Sequence, residues 1–311
     1  MPRLFPNPQL DKLIQSTTKI NSPYEIIIVT TNKHSNNLIA QNIQKTIETN
    51  PYCTKTTIIQ LSADPGLPQA RNIDAATAEA NTLIFSDDDI ILTQDITPLI
   101  DKLENNNYHS IQPLILKYPQ TNVLDSTGDQ ITRLNAIYHA KIRGAGKKLN
   151  QLNFKLIPEQ MASLRGAFFT IKKETLQAIG GFDGSLGFNF DDVDLGWRLT
   201  LAGYRNIFYP TVKVFHSGGR TTNTTSLDEK AQRFHLVNHH IIQLKVTSLT
   251  AWPFILTIFE IFTIKHAITK KSTKEIFKIS TINPKTQQPK TTPENLKPTP
   301  LRQQKNLQSH G

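Results

Sequence analysis

Short apolar runs alternate along the first third of the chain with segments in which apolar residues recur every three or four positions. β-branched or apolar runs bounded by turn residues predict strands, and these are 25–30, 54–61 and 82–86. Helical spacing predicts helices over 9–20, 35–48 and 68–80. This alternation is typical of an α/β sheet with helices on both faces, in which ligands bind at the carboxyl ends of the strands.

The pattern is less regular in the middle of the chain and then returns. Residues 109–116 read as a strand, and the polar, basic stretch 143–148 reads as a mobile loop. Later elements are predicted as a strand over 166–171, helices over 173–179 and 192–202, and a strand pair over 206–215 bent at Pro210.

Three consecutive aspartates, Asp87, Asp88 and Asp89, follow the third predicted strand. Carboxylates this close repel one another unless a cation lies among them, and Mg²⁺ and Mn²⁺ prefer oxygen ligands. Asp87 and Asp89 alternate on an extended backbone, so they are candidates to hold a divalent cation against a diphosphate. A solvated strand end or a helix N-cap explains the cluster equally well.

A second acidic cluster, Asp191-Asp192-Val193-Asp194, begins a predicted helix. Acidic residues favour helix N-termini because of the helix dipole, so the cluster alone does not indicate catalysis. The surrounding motifs change that interpretation. They are Gly180-Gly181-Phe182-Asp183, Arg198-Leu199, Ala202-Gly203-Tyr204 and His216-Ser217-Gly218-Gly219.

In this order, the segment from Phe169 to His216 resembles the carboxyl-terminal half of the catalytic domain in glycosyltransferase family 2, especially its rhamnosyltransferase-like members. Upstream, 65–72 and 85–89 resemble the G-x-x-x-A-R-N helix and the D-x-D motif of the same family. The resemblance covers roughly residues 24 to 240. It implies an α/β GT-A fold, a Rossmann-like mixed sheet with helices on both faces.

The resemblance also implies roles for individual residues. Asp192 would be the catalytic base that deprotonates the acceptor hydroxyl. Asp87, Asp89 and His216 would hold Mn²⁺ or Mg²⁺. The residues expected to bind the nucleotide and its diphosphate are Arg71, Asn72, Asp87 and Asp88. A single displacement with one base inverts the anomeric centre, which implies an inverting, metal-dependent glycosyltransferase.

The implied partners are a nucleotide-sugar donor and a glycan or lipid-linked acceptor, in polysaccharide biosynthesis for the cell envelope. Three positions depart from the family pattern: Thr30 replaces a base-binding Asp, Asp74 replaces Gly, and Asp191 replaces Glu. The family's first strand is also missing or divergent. Two alternatives therefore stay open, a non-catalytic nucleotide-binding protein of the GT-A type and a nucleotidyltransferase.

Charge and composition suggest where the protein acts. The net charge is +10, and much of it lies in the tail, because residues from Lys270 onwards hold nine Lys/Arg against two Asp/Glu. The folded part of the chain is therefore nearly neutral. A nucleic-acid partner is not expected for a domain without a basic surface. The single cysteine, Cys53, fits a reducing, cytoplasmic compartment.

The apolar stretch 251–264 is too short to span a bilayer. It could instead anchor the protein at the inner membrane face or pack on the catalytic domain.

These observations predict three parts of the chain: a GT-A catalytic domain over 1–240, an apolar helical segment over 241–270, and a basic, disordered tail over 271–311.

Overall fold

The computed structural model describes residues 8–31, 50–134, 137–152, 155–218, 229–246, 252–253, 256–257 and 260. The predicted helix 35–48 and the basic tail 271–311 lie outside these residues, as does most of the apolar segment 241–270. None of the described helices is both long enough and apolar enough to span a membrane.

A seven-stranded mixed sheet forms the centre of the described fold. Its strands are β3 (Thr82–Ser86), β4 (Ile90–Leu92), β5 (Ser110–Lys117), β6 (Leu124–Ser126), β9 (Glu159–Gln160), β10 (Phe168–Lys172) and β11 (Asn206–His216). The main path of the sheet runs in the order β3, β10, β5, β11, β4, with β6 paired to β5 and β9 paired to β11. β11 is parallel to β5, whereas β10 is antiparallel to both of its neighbours.

Two smaller sheets accompany the central one. β1 (Tyr24–Thr30) and β2 (Cys53–Gln60) pair in parallel, in agreement with the strands predicted there. Among the described strands, β1 pairs with β2 alone, and β3 pairs with β10 alone. β7 (Asp129–Leu134) and β8 (Ile137–Ile142) form an antiparallel pair in the middle of the chain, where the sequence pattern predicted no strand.

The α-helices are α1 (Pro8–Ser16), α2 (Leu67–Thr77), α3 (Thr97–Asn105), α4 (Lys173–Ala178), α5 (Asp191–Leu201) and α6 (Glu229–Val246). α1 and α3 pack on one face of the central sheet and α4 and α5 on the other, whereas α2 contacts β1 and α6 packs against α5. Neighbouring residues of β3 and β10 alternate between two apolar clusters, as the pleat of a strand requires. Leu176 of α4 and Leu195 of α5 belong to one cluster, and Leu99 of α3 belongs to the other.

The bend predicted at Pro210 is present, but it does not divide the segment into two strands. β11 is continuous, and its register against β5 shifts between Tyr209 and Lys213. Proline lacks an N–H for the ladder, so an irregularity at this point accommodates it without ending the strand. The strand therefore continues to His216, which lies opposite Lys117 at the end of β5.

Candidate active site

The two acidic clusters face a single cavity of about 1060 Å³. The first cluster follows β3, and the Asp87 N–H donates to the Ala167 carbonyl, which continues the pairing of β3 with β10. The Ile90 N–H then donates to the Asp87 carbonyl and closes a turn over the three aspartates. The second cluster begins α5. Asp87, Asp88, Asp89, Asp191, Asp192 and His216 all line the cavity, together with residues of β1 and β3. Residues more than 100 positions apart are thus brought together as the sequence predicted.

The three predicted metal ligands form one group. Asp87, Asp89 and His216 each offer a ligand atom, and these atoms lie within 4.8 Å of one another. Asp89 Oδ1 is buried without a well-formed hydrogen bond and faces His216 Nε2 at 3.1 Å. A buried carboxylate oxygen left in this state is costly, and a divalent cation between the two groups would satisfy it. The donor set therefore fits Mn²⁺ or Mg²⁺.

Charge in this group is governed by burial and by close partners. Desolvation raises the pKa of Asp87 to about 6, although the nearby Arg71 opposes this rise. Burial alone would lower the pKa of His216, but the hydrogen bond with Asp125 and the close approach of the Asp89 carboxylate raise that pKa to about 10. Burial also works against the charge of Asp125, and the hydrogen bond from His216 nonetheless holds the Asp125 pKa below its ordinary value.

Arg71 joins the two acidic clusters. Its NH1 donates to Asp191 Oδ2 at 2.6 Å, and its NH2 contacts Asp87 Oδ1 at 3.1 Å. The same NH2 donates to the Gly166 carbonyl at 2.7 Å, and the whole residue is only 5% exposed. Arginine's planar fork of donors suits such a bridge. Arg71 therefore lies inside the predicted site, with its guanidinium holding the carboxylates in place.

Backbone groups fix the orientation of Asp192, the predicted base. Its Oδ2 accepts from the Gly166 N–H at 2.6 Å, and its Oδ1 accepts from the Val193 N–H at 2.8 Å. A side chain at position 166 would approach both Arg71 NH1 and Asp192 Oδ2 to about 3.0 Å, so glycine permits this close packing. Asp192 remains partly exposed and lines the cavity.

A strained turn leads into α5. Asn189 and Phe190 both have positive φ values, 65° and 67°. Such a conformation is costly for a bulky residue like Phe190 and persists where surrounding contacts impose it. The Asn238 amide of α6 supplies such contacts, because it donates to the carbonyls of Leu186, Phe188 and Asn189 at 2.7–2.9 Å. This turn sets the direction in which the Asp191-Asp192 pair enters the cavity.

Asn72, predicted to shape the nucleotide pocket, points elsewhere. Its amide accepts from the Phe182 N–H and donates to the Phe182 carbonyl, each at 2.8 Å. It is not among the residues that line the cavity. Asn72 therefore ties α2 to the Gly181-Phe182 turn, and a contact with nucleotide stays a prediction.

Sequence reasoning missed three charged residues at the site. Asp125 contacts His216, Arg165 lines the cavity among carboxylates that include Asp192, and Asp129 is 3% exposed. Desolvation and the charge of Asp192 raise the pKa of Asp129 to about 7. Each is an isolated charge in an irregular part of the sequence. In the sequence, the feature that could have pointed to each of them is that it lies within a short apolar or β-branched segment.

Comparison with known proteins gives two informative relatives. The chain is 24% identical over 176 residues to a Drosophila melanogaster protein whose name describes it as an inactive polypeptide N-acetylgalactosaminyltransferase 12, covering 52% of this chain and 29% of that relative. It is 30% identical over 77 residues to the N-acetylglucosaminyl-diphospho-decaprenol L-rhamnosyltransferase of Mycobacterium tuberculosis, covering 25% of this chain and 23% of that relative. The chain thus spans less than a third of each.

Solved structures share the fold. A mannosyltransferase from Pyrobaculum calidifontis in complex with GDP-Man and Mn²⁺ superposes with a TM-score of 0.51 at 17% identity, over 82% of this chain and 66% of that one. GalNAc-T7 with UDP, GalNAc and Mn²⁺ superposes with a TM-score of 0.50 at 17% identity, over 66% and 40%. At this identity the likeness concerns the fold, and it confirms the predicted GT-A architecture.

The family is established by a longer match. The family model described as glycosyl transferase family 2 matches residues 7–179, which is more than half of the chain and includes the first acidic cluster. The same family was identified from the motifs that surround the second cluster. The chain belongs to glycosyl transferase family 2.

Proposed function

We propose that this protein is an inverting, metal-dependent glycosyltransferase that moves a sugar from a nucleotide-sugar donor to a hydroxyl of a glycan or lipid-linked acceptor. One observation carries the proposal: a cation-binding group and a separately oriented carboxylate face the same cavity, joined through Arg71. Transfer of a glycosyl group needs both, because the leaving diphosphate must be neutralised while the acceptor hydroxyl loses a proton.

The first part of the site would receive the donor diphosphate. Asp87, Asp89 and His216 would hold the divalent cation, Mn²⁺ or Mg²⁺. When bound, the cation would supply positive charge against the leaving diphosphate. Arg71 donates to Asp87 Oδ1, so the carboxylate is oriented before any ligand arrives. The Mn²⁺ named with both structural neighbours supports this assignment.

The second part would act on the acceptor. Asp192 already receives two backbone N–H groups, which fix the plane of its carboxylate and leave it facing the cavity. We propose that it accepts the proton of the attacking hydroxyl. Displacement in one step by that hydroxyl inverts the anomeric carbon, and no covalent sugar–enzyme intermediate is required.

A second candidate is a non-catalytic nucleotide-binding protein. Thr30 stands at the end of β1 where an aspartate was expected, and β1 pairs with β2 alone among the described strands. The relative from Drosophila melanogaster, described as inactive, favours keeping this candidate. It predicts nucleotide binding without release of free sugar or transfer product.

Release of nucleoside diphosphate distinguishes the two candidates. The full chain would be incubated with Mn²⁺ and each of several nucleotide sugars, with and without lipid-linked or soluble glycan acceptors. We expect nucleoside diphosphate to appear with at least one donor, and Asp192→Asn to suppress it. Nucleotide binding with no release from any donor, even by slow hydrolysis, would support the non-catalytic candidate instead.

A further inference from the structure

His216 is held on both of its ring nitrogens. Nε2 faces Asp89 Oδ1 at 3.1 Å, and Nδ1 lies 3.0 Å from Asp125 Oδ2. The two nitrogens of an imidazole point in different directions, so the two carboxylates contact different edges of the ring. Asp125 is therefore not one of the clustered ligands, and among the described residues its side-chain partner in this group is His216.

The sheet places Asp125 and His216 at a fixed separation. Asp125 is the middle residue of β6, which pairs with Ile115 and Leu116 of β5. His216 is the last residue of β11, which also pairs with β5. Since β5 is common to both pairings, the contact joins two strands of one sheet rather than two loops. The two side chains are mostly buried, with 18% of Asp125 and 9% of His216 exposed.

The backbone after His216 further restricts the ring. A Cβ atom at position 218 would lie 2.3 Å from His216 Cε1 and 2.4 Å from Nε2, so only glycine fits against the ring. The Ser217 N–H donates to the Asp89 carbonyl at 2.9 Å, which ties this segment to the first acidic cluster. The ring therefore has little freedom to turn away from Asp89.

We propose that Asp125 is a positioning residue that keeps a proton on His216 Nδ1, so that Nε2 is the nitrogen that binds the cation. A carboxylate can only accept a hydrogen bond, so the nitrogen beside it must carry the proton. Nε2 also faces a carboxylate, Asp89, but there the cation would lie between the two groups and take the place of the proton. Such carboxylate–histidine–metal arrangements fix the orientation of the ring and raise its basicity toward the metal. The inference rests on the proposed metal-dependent function and extends it to a residue outside the ligand group.

Direct measurement of metal binding tests this role without reference to turnover. Mn²⁺ affinity of the full chain would be measured by electron paramagnetic resonance for wild type, Asp125→Asn and a matched control, Glu174→Gln. Glu174 is exposed on α4, so its variant removes one negative charge away from the cavity. We expect Asp125→Asn to weaken Mn²⁺ binding about 10–100-fold, the usual cost of losing such a partner, and Glu174→Gln to leave it unchanged.

The protonation of the ring gives a second readout that needs no variant at position 125. In wild type labelled with ¹⁵N-histidine and loaded with diamagnetic Mg²⁺, the His216 signals, identified with His216→Gln, should place the proton on Nδ1. A proton on Nε2 in the loaded protein would overturn the proposal even if Asp125→Asn failed to fold. So would equal Mn²⁺ affinity in wild type and Asp125→Asn. Wild type that binds no Mn²⁺ would instead refute the metal-dependent function itself.

Discussion

The two sides of the cavity differ in how firmly their groups are held. On the side that we propose to be catalytic, which holds the two acidic clusters, Arg71 and Asp191 are 5% and 3% exposed and joined by a 2.6 Å contact. On the other side, all seven residues of β1 are only partly buried, and β1 pairs with β2 alone among the described strands. Thr30 ends this strand with a hydroxyl where the family pattern led us to expect a carboxylate.

This difference indicates where specificity and turnover are decided. The groups that handle charge are oriented before a ligand binds, which is the arrangement that electrostatic stabilisation of a transition state requires. The β1 side offers a cavity wall of partly buried apolar residues and no carboxylate at its end. We therefore expect changes on the catalytic side to have large effects and changes on the β1 side to have small ones.

The largest effect is expected at Asp192. Asp192→Asn keeps the shape of the side chain and removes the proton acceptor, so kcat should fall by about 10²–10⁴-fold. Affinity for nucleoside diphosphate should stay near that of wild type, because Asp87, Asp89 and His216 are unchanged. Steady-state kinetics and calorimetry of the same preparation check both statements. Glu174→Gln, on the exposed surface of α4 and outside the cavity lining, is the control. Wild-type turnover by Asp192→Asn would mean that the base is another residue.

The next effect concerns stability and compares one ion pair on each side. Asp191→Asn removes the shorter of the two ion pairs of the buried Arg71, which keeps its contact with Asp87. The free energy of unfolding should fall by about 1.5–3 kcal/mol, the contribution of a hydrogen bond between charged groups. Glu79→Gln breaks the exposed Lys55–Glu79 pair beside β2, and the free energy of unfolding should stay close to that of wild type because solvent screens this pair. Denaturant titrations of both variants measure the difference. Equal losses would contradict the claim that the catalytic side is held more firmly.

A smaller effect, opposite in sign, is expected at Asp74, which lines the cavity on α2. Burial raises its pKa from 3.8 to about 7, and the attraction of Arg71 only partly opposes this. Because the folded pKa is the higher one, the native state loses stability as pH rises from about 4 to 7. Asp74→Asn should therefore raise the free energy of unfolding at pH 8 by about 1–2 kcal/mol, after allowance for solvent in the cavity. The melting temperature at pH 8 should rise by a few degrees. At pH 4.5 the melting temperature should hardly change. A stabilisation independent of pH would contradict this explanation.

The smallest effect is expected for the base of the nucleotide. Because β1 has no carboxylate at its end, the affinities for UDP, GDP, ADP and CDP in the presence of Mn²⁺ should lie within about tenfold of one another. A tenfold difference in affinity corresponds to the binding free energy of roughly one hydrogen bond. Calorimetry with the four diphosphates measures this spread. A preference above about a hundredfold for one base would show that recognition on the β1 side is stronger than its partly buried residues suggest.

Much of this site could be predicted from the sequence because its motifs are local. Asp87, Asp89 and Asp192 follow a strand or begin a helix, and these elements are formed by apolar periodicity that can be read directly. The predicted β3 matches the observed strand residue for residue, and the helix that begins at Asp191 differs from its prediction by one residue at each end.

The contacts between distant residues could not be predicted in the same way. The pairing of Arg71 with Asp191 spans 120 positions, and that of Asp125 with His216 spans 91. Such partners are set by strand order, which the hydrophobic pattern does not specify. The contact of the Asn72 amide with the Phe182 backbone, across 110 positions, is another of this kind, and the nucleotide contact expected from its motif stays a prediction.

The central claim is that a divalent cation links this protein to the diphosphate of its donor. Calorimetric titration of UDP and GDP into the full chain, with Mn²⁺ and then with chelator, tests it most directly. We expect binding at least about tenfold tighter with Mn²⁺, and loss of that difference in Asp89→Ala, since a charge-assisted contact contributes about 1.5–3 kcal/mol. Equal affinities with Mn²⁺ and with chelator in the wild-type protein would contradict the account.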